Sequence, residues 1–231
     1  MPPSTPDRYQ TLIRPLLIGL AAVLFALVFA QLGAEVLEGD TRGFDMAVLH
    51  LAQSLRVSHP WLAEVMRDLS GLGSAIVLTL FTAATVGYLA LVSARTTAVL
   101  VATSVITGSL LVSVLKFAFG RLRPDAAFAE LVAPGLSFPS GHASMSAIVF
   151  LTIGALIAST RIGLARRIYI LSTAALMTFL VGVSRVVLGV HWATDVLGGW
   201  AFGAAWAMVW LLLARRLRSA AQGVATAHRP H

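Results

Sequence analysis

Three short segments of this chain combine cations, histidines and a carboxylate at spacings that suit phosphate chemistry. They are Lys116-Phe-Ala-Phe-Gly-Arg-Leu-Arg123-Pro124, then Pro139-Ser140-Gly141-His142, then Ser184-Arg185 followed by His191 and Asp195. Each lies at the end of a long apolar run, where a charged residue is expensive and needs a reason to be there. Lys116, Arg123 and Arg185 can hold an anion. His191 and Asp195 stand at i and i+4 and share a face if the segment is helical. Asp195 can then take the proton of one imidazole nitrogen and hold the other, unprotonated, towards a substrate. His142 can supply a proton to a leaving group. Together these are the parts of a phosphatase at a membrane face.

Each segment also has a plainer reading. Lys116 ends an apolar run and could snorkel to the interface. Arg123, seven residues on and stiffened by Pro124, sets a second cation on the same short connector. Arg121 is read as a lipid-head-group contact or a solvated charge, outside the site. Proline can open a helix, and a Ser-Gly turn after it leaves free backbone N–H groups that favour an anion. Ser140 adds a hydroxyl, although the tetrapeptide could be a simple helix cap with His142 at the interface. Arg185 precedes His191 by six residues across a connector that includes Gly189. Asp195, an aspartate at the start of a membrane helix, is costly unless a histidine and the helix dipole satisfy it. His142, His191 and Asp195 are acceptable metal ligands. Three cations in the same constellation repel a divalent ion, however, and Asp125 and Glu130 fall outside the spacing, so no metal and no cofactor is expected.

These elements must be positioned by membrane helices. The 231-residue chain is 58% hydrophobic and 12% charged, with a mean hydropathy of +0.85, whereas soluble domains carry about 25% charged residues. It has no cysteine, which excludes disulfides, thiolate catalysis and cysteine-ligated zinc. The net charge of +7 is almost all arginine and points to cytoplasmic loops and anionic lipid, not nucleic acid. Six runs are long and apolar enough to span a bilayer: 16–32, 75–92, 97–117, 143–159, 168–184 and 194–213. None alternates as a barrel strand does, so the fold class expected is all-α, a bundle of six transmembrane helices. The first run also resembles a signal peptide, since Arg8 and Arg14 precede it and small residues follow.

Between the first two spans, Val48, Leu51, Ala52 and Leu55 repeat at helical spacing, as do Trp61, Leu62, Val65 and Leu69. They predict two short amphipathic helices in the first outer loop, lying on the membrane or packed on the bundle. Ten Lys and Arg fall on the side with Arg8, Arg14, Arg95, Arg161, Arg166, Arg167, Arg215, Arg216, Arg218 and Arg229, and seven on the motif side. Four of those seven belong to the proposed site region. Both termini are therefore expected in the cytoplasm and the site outside. Residues 1–218 are expected to form one membrane-embedded domain and 219–231 a flexible tail, whose His228 and His231 carry no assigned role. Gly199 and Gly203 make a close-approach step, expected to pack within the chain rather than between copies.

In this order and spacing, the segments resemble the phosphatase pattern of the type 2 phosphatidic acid phosphatase superfamily. The pattern is Lys, six residues, Arg-Pro; Pro-Ser-Gly-His; and Ser-Arg, five residues, His, three residues, Asp. Lys116, Arg123, Pro124, Pro139, Ser140, Gly141, His142, Ser184, Arg185, His191 and Asp195 match it throughout. The active site is also similar to that of vanadium-dependent haloperoxidases, but those are mainly soluble, so the spans favour the lipid phosphatase branch, which includes undecaprenyl-diphosphatase-like enzymes. The resemblance implies metal-independent hydrolysis through a phosphohistidine. His191 would be the nucleophile, Asp195 its orienting group and His142 the acid and base. Lys116, Arg123, Ser140, Gly141 and Arg185 would bind the substrate phosphate. Phosphatidate, phosphatidylglycerophosphate and a polyprenyl diphosphate fit as substrates, with lipid A phosphates less favoured. A non-catalytic lipid-phosphate binder or transporter, and a phosphotransferase, are the competing readings. The implied partners are the bilayer and the lipid phosphate; the sequence leaves oligomeric state open. The implied location is the inner (plasma) membrane with the site facing the periplasm or outside.

Overall fold

A computed structural model describes residues 5–159 and 163–227. Arg161, Arg229, His228 and His231 lie outside the described residues. The described chain is all-helical: α1 (Thr5–Glu38), α2 (Arg42–Ser58), α3 (Trp61–Gly71), α4 (Ala75–Leu91), α5 (Arg95–Phe119), α6 (Gly141–Ser146), α7 (Thr152–Ala158), α8 (Leu164–Val187) and α9 (Ala193–Ala227). A π-helical turn, Ala147–Leu151, joins α6 to α7. Among the described residues, six stretches are long and apolar enough to cross a membrane: Pro15–Glu38, Trp61–Leu91, Arg95–Phe119, Gly141–Ala158, Leu164–Val187 and Ala193–Leu217. Their outward side chains are large and apolar. Leu16, Leu80 and Leu110 are 70%, 64% and 62% exposed, which is tolerable only where the surrounding solvent is hydrocarbon. The chain is a multi-pass membrane protein.

Local chemistry fixes the helix ends near the site. Ser74 caps α4, its hydroxyl accepting the Val77 N–H at 3.3 Å. Gly120 stops α5 in the left-handed conformation (φ 61°), its N–H bonded to the Lys116 carbonyl, an arrangement that suits a residue without Cβ. Gly189, with φ 72°, turns the chain after α8 where the Phe128 carbonyl packs against it. The loop from Gly120 to Ser140 is pinned to the bundle by Phe138, which is fully buried. Its ring lies 4.6 Å from that of Phe119 and 5.7 Å from that of Phe29.

Small residues let α6 approach α9. A Cβ on Gly199 would lie 3.0 Å from the Ser140 carbonyl oxygen, and one on Gly203 would lie 2.6 Å from that of Ser144. This glycine step is therefore used inside the chain. α9 runs on to Ala227, through the stretch from Ser219 that the sequence sets apart as a tail.

α2 and α3 form where the sequence predicts short helices, with α3 opening the long apolar stretch Trp61–Leu91, and α2 buries charge as well as apolar side chains. Its buried stripe is Asp45, Leu49, Ala52 and Arg56, and it packs on α8 and α9. Of the predicted apolar repeat, Ala52 is buried, while Leu51 and Leu55 are 59% and 41% exposed. With Phe44 and Val48 they line an outward apolar groove of about 260 Å³ shared with α8 and α9. α3 packs on α8, burying Ser70 while Trp61 stays exposed.

Candidate active site

The site gathers where the ends of α5 and α8 meet the starts of α6 and α9, under the Gly120–Ser140 loop. His191 sits in the short α8–α9 connector and is almost fully buried. Its Nδ1 lies 3.2 Å from Asp195 Oδ2, and its Nε2 lies 3.1 Å from Arg123 Nη1. A guanidinium can only donate, so the second contact assigns the tautomer: Nε2 carries the lone pair and Nδ1 the proton given to Asp195. Burial holds the His191 pKa down to about 4, against the opposing pull of Asp195. The imidazole is neutral at pH 7.

Asp195 is fully buried and well supplied with donors. Its Oδ2 accepts the Trp192 N–H at 2.9 Å and the Ser137 hydroxyl, and its Oδ1 accepts Arg121 Nη1 at 2.7 Å. The expectation for Arg121 is overturned here. It is not a solvated or lipid-facing cation but a mostly buried bridge from Asp195 to Asp45 Oδ2, the latter at 2.6 Å. Arg121 and Arg123, two residues apart in the loop after Gly120, point to different partners.

The phosphate-binding candidates converge on the same place. Arg123 donates through Nε to the Gly135 carbonyl at 3.0 Å and through Nη1 to the Val190 carbonyl at 2.7 Å. Burial lowers its pKa while the Asp195 charge raises it, and it remains a cation. Lys116 donates to the Leu136 and Ser137 carbonyls at 2.8 and 3.2 Å, which leaves one of an ammonium's three N–H groups. Its Cε lies 3.7 Å from where a Cβ on Gly141 would be, so the lysine head abuts the first turn of α6. Arg185, 5% exposed, donates Nη1 to Ser70 Oγ at 2.7 Å. Arg185 Nε and Ser140 Oγ are buried with no partner, and such groups are retained where a ligand completes them. His142 is half-buried beside Gly73 and within electrostatic reach of Lys116, Arg123, Arg185 and His191. Ser184 Oγ bonds back to the Val181 carbonyl at 2.6 Å. Beyond Arg123, a cleft of about 390 Å³ runs along Pro124, Glu130, Val132, Gly189 and Val190.

The structure thus brings Lys116, Arg123, Ser140, Gly141, His142, Arg185, His191 and Asp195 together. It adds Ser137, Arg121, Asp45, Thr194 and Ser70, which sequence reasoning did not select. Of these, only Asp45 left a trace: a charged residue at helical spacing with the apolar Leu49 and Ala52.

Residues 97–219 match the model of the PAP2 superfamily. A phosphatidylglycerophosphatase B of Bacillus subtilis is 36% identical over 184 residues, covering 77% of this chain and 86% of that protein. A crystal structure of a transmembrane PAP2 type phosphatidylglycerolphosphate phosphatase from Bacillus subtilis superposes with a TM-score of 0.78 at 30% identity, over 84% of this chain and 96% of that one. A lipid A 1-phosphatase of Rhizobium johnstonii is 36% identical over 110 residues, 44% of this chain and 41% of that protein. The chain belongs to the PAP2 superfamily of membrane phosphatases. It is a hydrolase of phosphoric esters.

Proposed function

We propose that the protein removes phosphate from a membrane lipid without a metal, through a phosphohistidine on His191. The observation that carries this reading is the fixed imidazole: Nδ1 tied to Asp195 and the Nε2 lone pair turned to the cation set. Substrate phosphate oxygens take the unpartnered N–H groups of Arg123 and Arg185, the remaining Lys116 N–H, the Ser140 hydroxyl and the Gly141 N–H. Their competition for Arg123 draws its donor away from His191 Nε2. Nε2 then attacks phosphorus; the N–P bond forms as the ester P–O bond breaks, and His142 gives its proton to the leaving alkoxide. In the second half, His142 takes a proton from water, the water oxygen bonds phosphorus, the N–P bond breaks and inorganic phosphate leaves. Fixed positive charge stabilises the charge-rich transition state. Among the described residues no three His, Asp or Glu gather at metal-binding spacing, and a cationic pocket favours an anion over a divalent ion.

The relatives' activities, phosphatidylglycerophosphatase B and lipid A 1-phosphatase, support a lipid phosphate substrate, with phosphatidylglycerophosphate the first to assay. The arginine distribution supports cytoplasmic termini in the plasma membrane and an outward-facing site. The test is phosphate release from phosphatidylglycerophosphate, phosphatidate and undecaprenyl diphosphate in detergent, with and without EDTA. The reading expects turnover in EDTA and none from His191→Ala. Near wild-type release by that variant removes His191 as nucleophile, and tight lipid binding without release on every substrate makes the protein a binder.

A further inference from the structure

Beneath the nucleophile lies a second charged group chain that the phosphatase motif does not include. Arg121 Nη1 donates to Asp195 Oδ1 and to Thr194 Oγ1, both at 2.7 Å, and Nη2 donates to Asp45 Oδ2 at 2.6 Å and Thr41 Oγ1 at 3.1 Å. Asp45 closes the ring by accepting the Thr194 N–H at 2.9 Å and its hydroxyl at 2.7 Å. Both carboxylates are fully buried, the guanidinium side chain is 15% exposed, and its Cζ lies 5.5 Å from the Trp192 ring centre.

We propose that Arg121 and Asp45 are positioning residues for phosphoryl transfer, acting on His191 through Asp195. This rests on His191 as the nucleophile. Two physical consequences carry it. First, Arg121 occupies Oδ1, so Asp195 can meet His191, Ser137 and Trp192 only through Oδ2. The carboxylate cannot rotate, and Nε2 is held towards the cation set. Second, one guanidinium is shared between two carboxylates. Asp45 takes up part of its charge, so the trio keeps a net negative charge that stabilises the imidazolium-like ring formed when Nε2 bonds phosphorus. A strut between α2 and α9 would need only the Asp45–Thr194 bonds; the bond from Arg121 to Asp195 adds a link to the reacting atoms.

The experiment uses full-length Arg121→Lys, Arg121→Met and Asp45→Asn in detergent, with kcat and KM for a lipid phosphate and ¹⁵N-histidine spectra assigned with His191→Gln. Changes to the outer partners of metal-ligating groups cost about 10–100-fold, and those to the partners of Asp195 should cost about the same. The expected result is a kcat loss of that size with KM within about twofold, Lys retaining more than Met, and His191 shifting away from the Nδ1–H tautomer. Wild-type kcat in Asp45→Asn and Arg121→Met overturns the proposal. So does a kcat loss with an unchanged His191 spectrum, or loss of the folded protein in both Arg121→Lys and Asp45→Asn, which makes the network a strut. If the wild type releases no phosphate from any lipid, the nucleophile assignment fails separately, while the tautomer spectra still decide whether this network sets the ring.

Discussion

Asp195→Asn is the substitution whose effect the geometry constrains most. The carboxylate takes four donors: Arg121 at 2.7 Å on one oxygen, and Trp192 N at 2.9 Å, His191 Nδ1 at 3.2 Å and the Ser137 hydroxyl on the other. Asparagine keeps one acceptor and turns the other into a donor. If its NH₂ faces Arg121, donor meets donor in a buried site and a charge-assisted bond worth about 1.5–3 kcal/mol is lost. If its NH₂ faces His191, the ring relieves the clash only by moving its proton to Nε2, the atom that must attack. Either outcome removes the buried negative charge that stabilises the reacting ring. The corresponding change in a serine-protease triad, where the tautomer is also inverted, costs about 10⁴-fold, or about 5.5 kcal/mol of barrier. The expected loss here is of the same order, about 10³–10⁴-fold in kcat. KM should stay within about threefold, because no phosphate-contacting group changes. The assay is initial-rate phosphate release from phosphatidylglycerophosphate in detergent, with thermal denaturation showing that the variant remains folded. Activity within tenfold of wild type would refute the reasoning.

Three other outcomes follow from the same geometry. In the proposed mechanism His191 attacks as a neutral imidazole, its pKa lowered by burial to about 4, so protonation should remove activity only as pH falls towards that value. The acid limb of kcat/KM, corrected for substrate ionisation, should lie near 4, and a limb at the ordinary histidine value of about 6.5 contradicts the buried, neutral nucleophile. The same shift destabilises the fold as pH drops from about 6.5 to about 4, because the unfolded chain binds the proton first. Gly203→Ala places a Cβ 2.5 Å from Ala147 Cβ and 2.6 Å from the Ser144 carbonyl oxygen, and overpacking of this kind costs about 1–3 kcal/mol. It should lower both the melting temperature and activity, since α6 carries Gly141 and His142, whereas Gly87→Ala, which meets nothing within 4 Å, should leave both unchanged. Arg185→Ala should raise KM for the lipid phosphate and lower kcat, and an unchanged KM and kcat would exclude it from the phosphate pocket.

The spans were readable because a bilayer demands long apolar runs whatever the tertiary contacts. The motif residues were readable because charge at the end of such a run is costly and therefore informative. The face of α2 was not. The apolar repeat marks Leu51 and Leu55, which stay exposed, whereas the buried face also carries Asp45 and Arg56, whose partners lie far along the chain. Arg56 pairs with Glu130 at 3.0 Å and donates to the Phe128 and Val187 carbonyls, tying α2 to the loop above the site. Arg121 was misread for a related reason. An arginine in a polar loop has the same local sequence whether it is solvated or buried between two carboxylates, and one of those carboxylates lies 76 residues away. Ser137 and Ser70 likewise reach the site only through the fold, from a loop and a helix end whose sequences hold no chemical signature.

Covalent phosphorylation of His191 is the most direct test of the proposed mechanism. Rapid-quench labelling with a ³²P-phosphorylated lipid in EDTA, followed by peptide mapping, measures this directly. The expected result is an acid-labile, alkali-stable phosphate on His191, formed as fast as the alcohol product is released and lost entirely in His191→Ala. Turnover with no labelled protein at any time, or label on another residue, would contradict it.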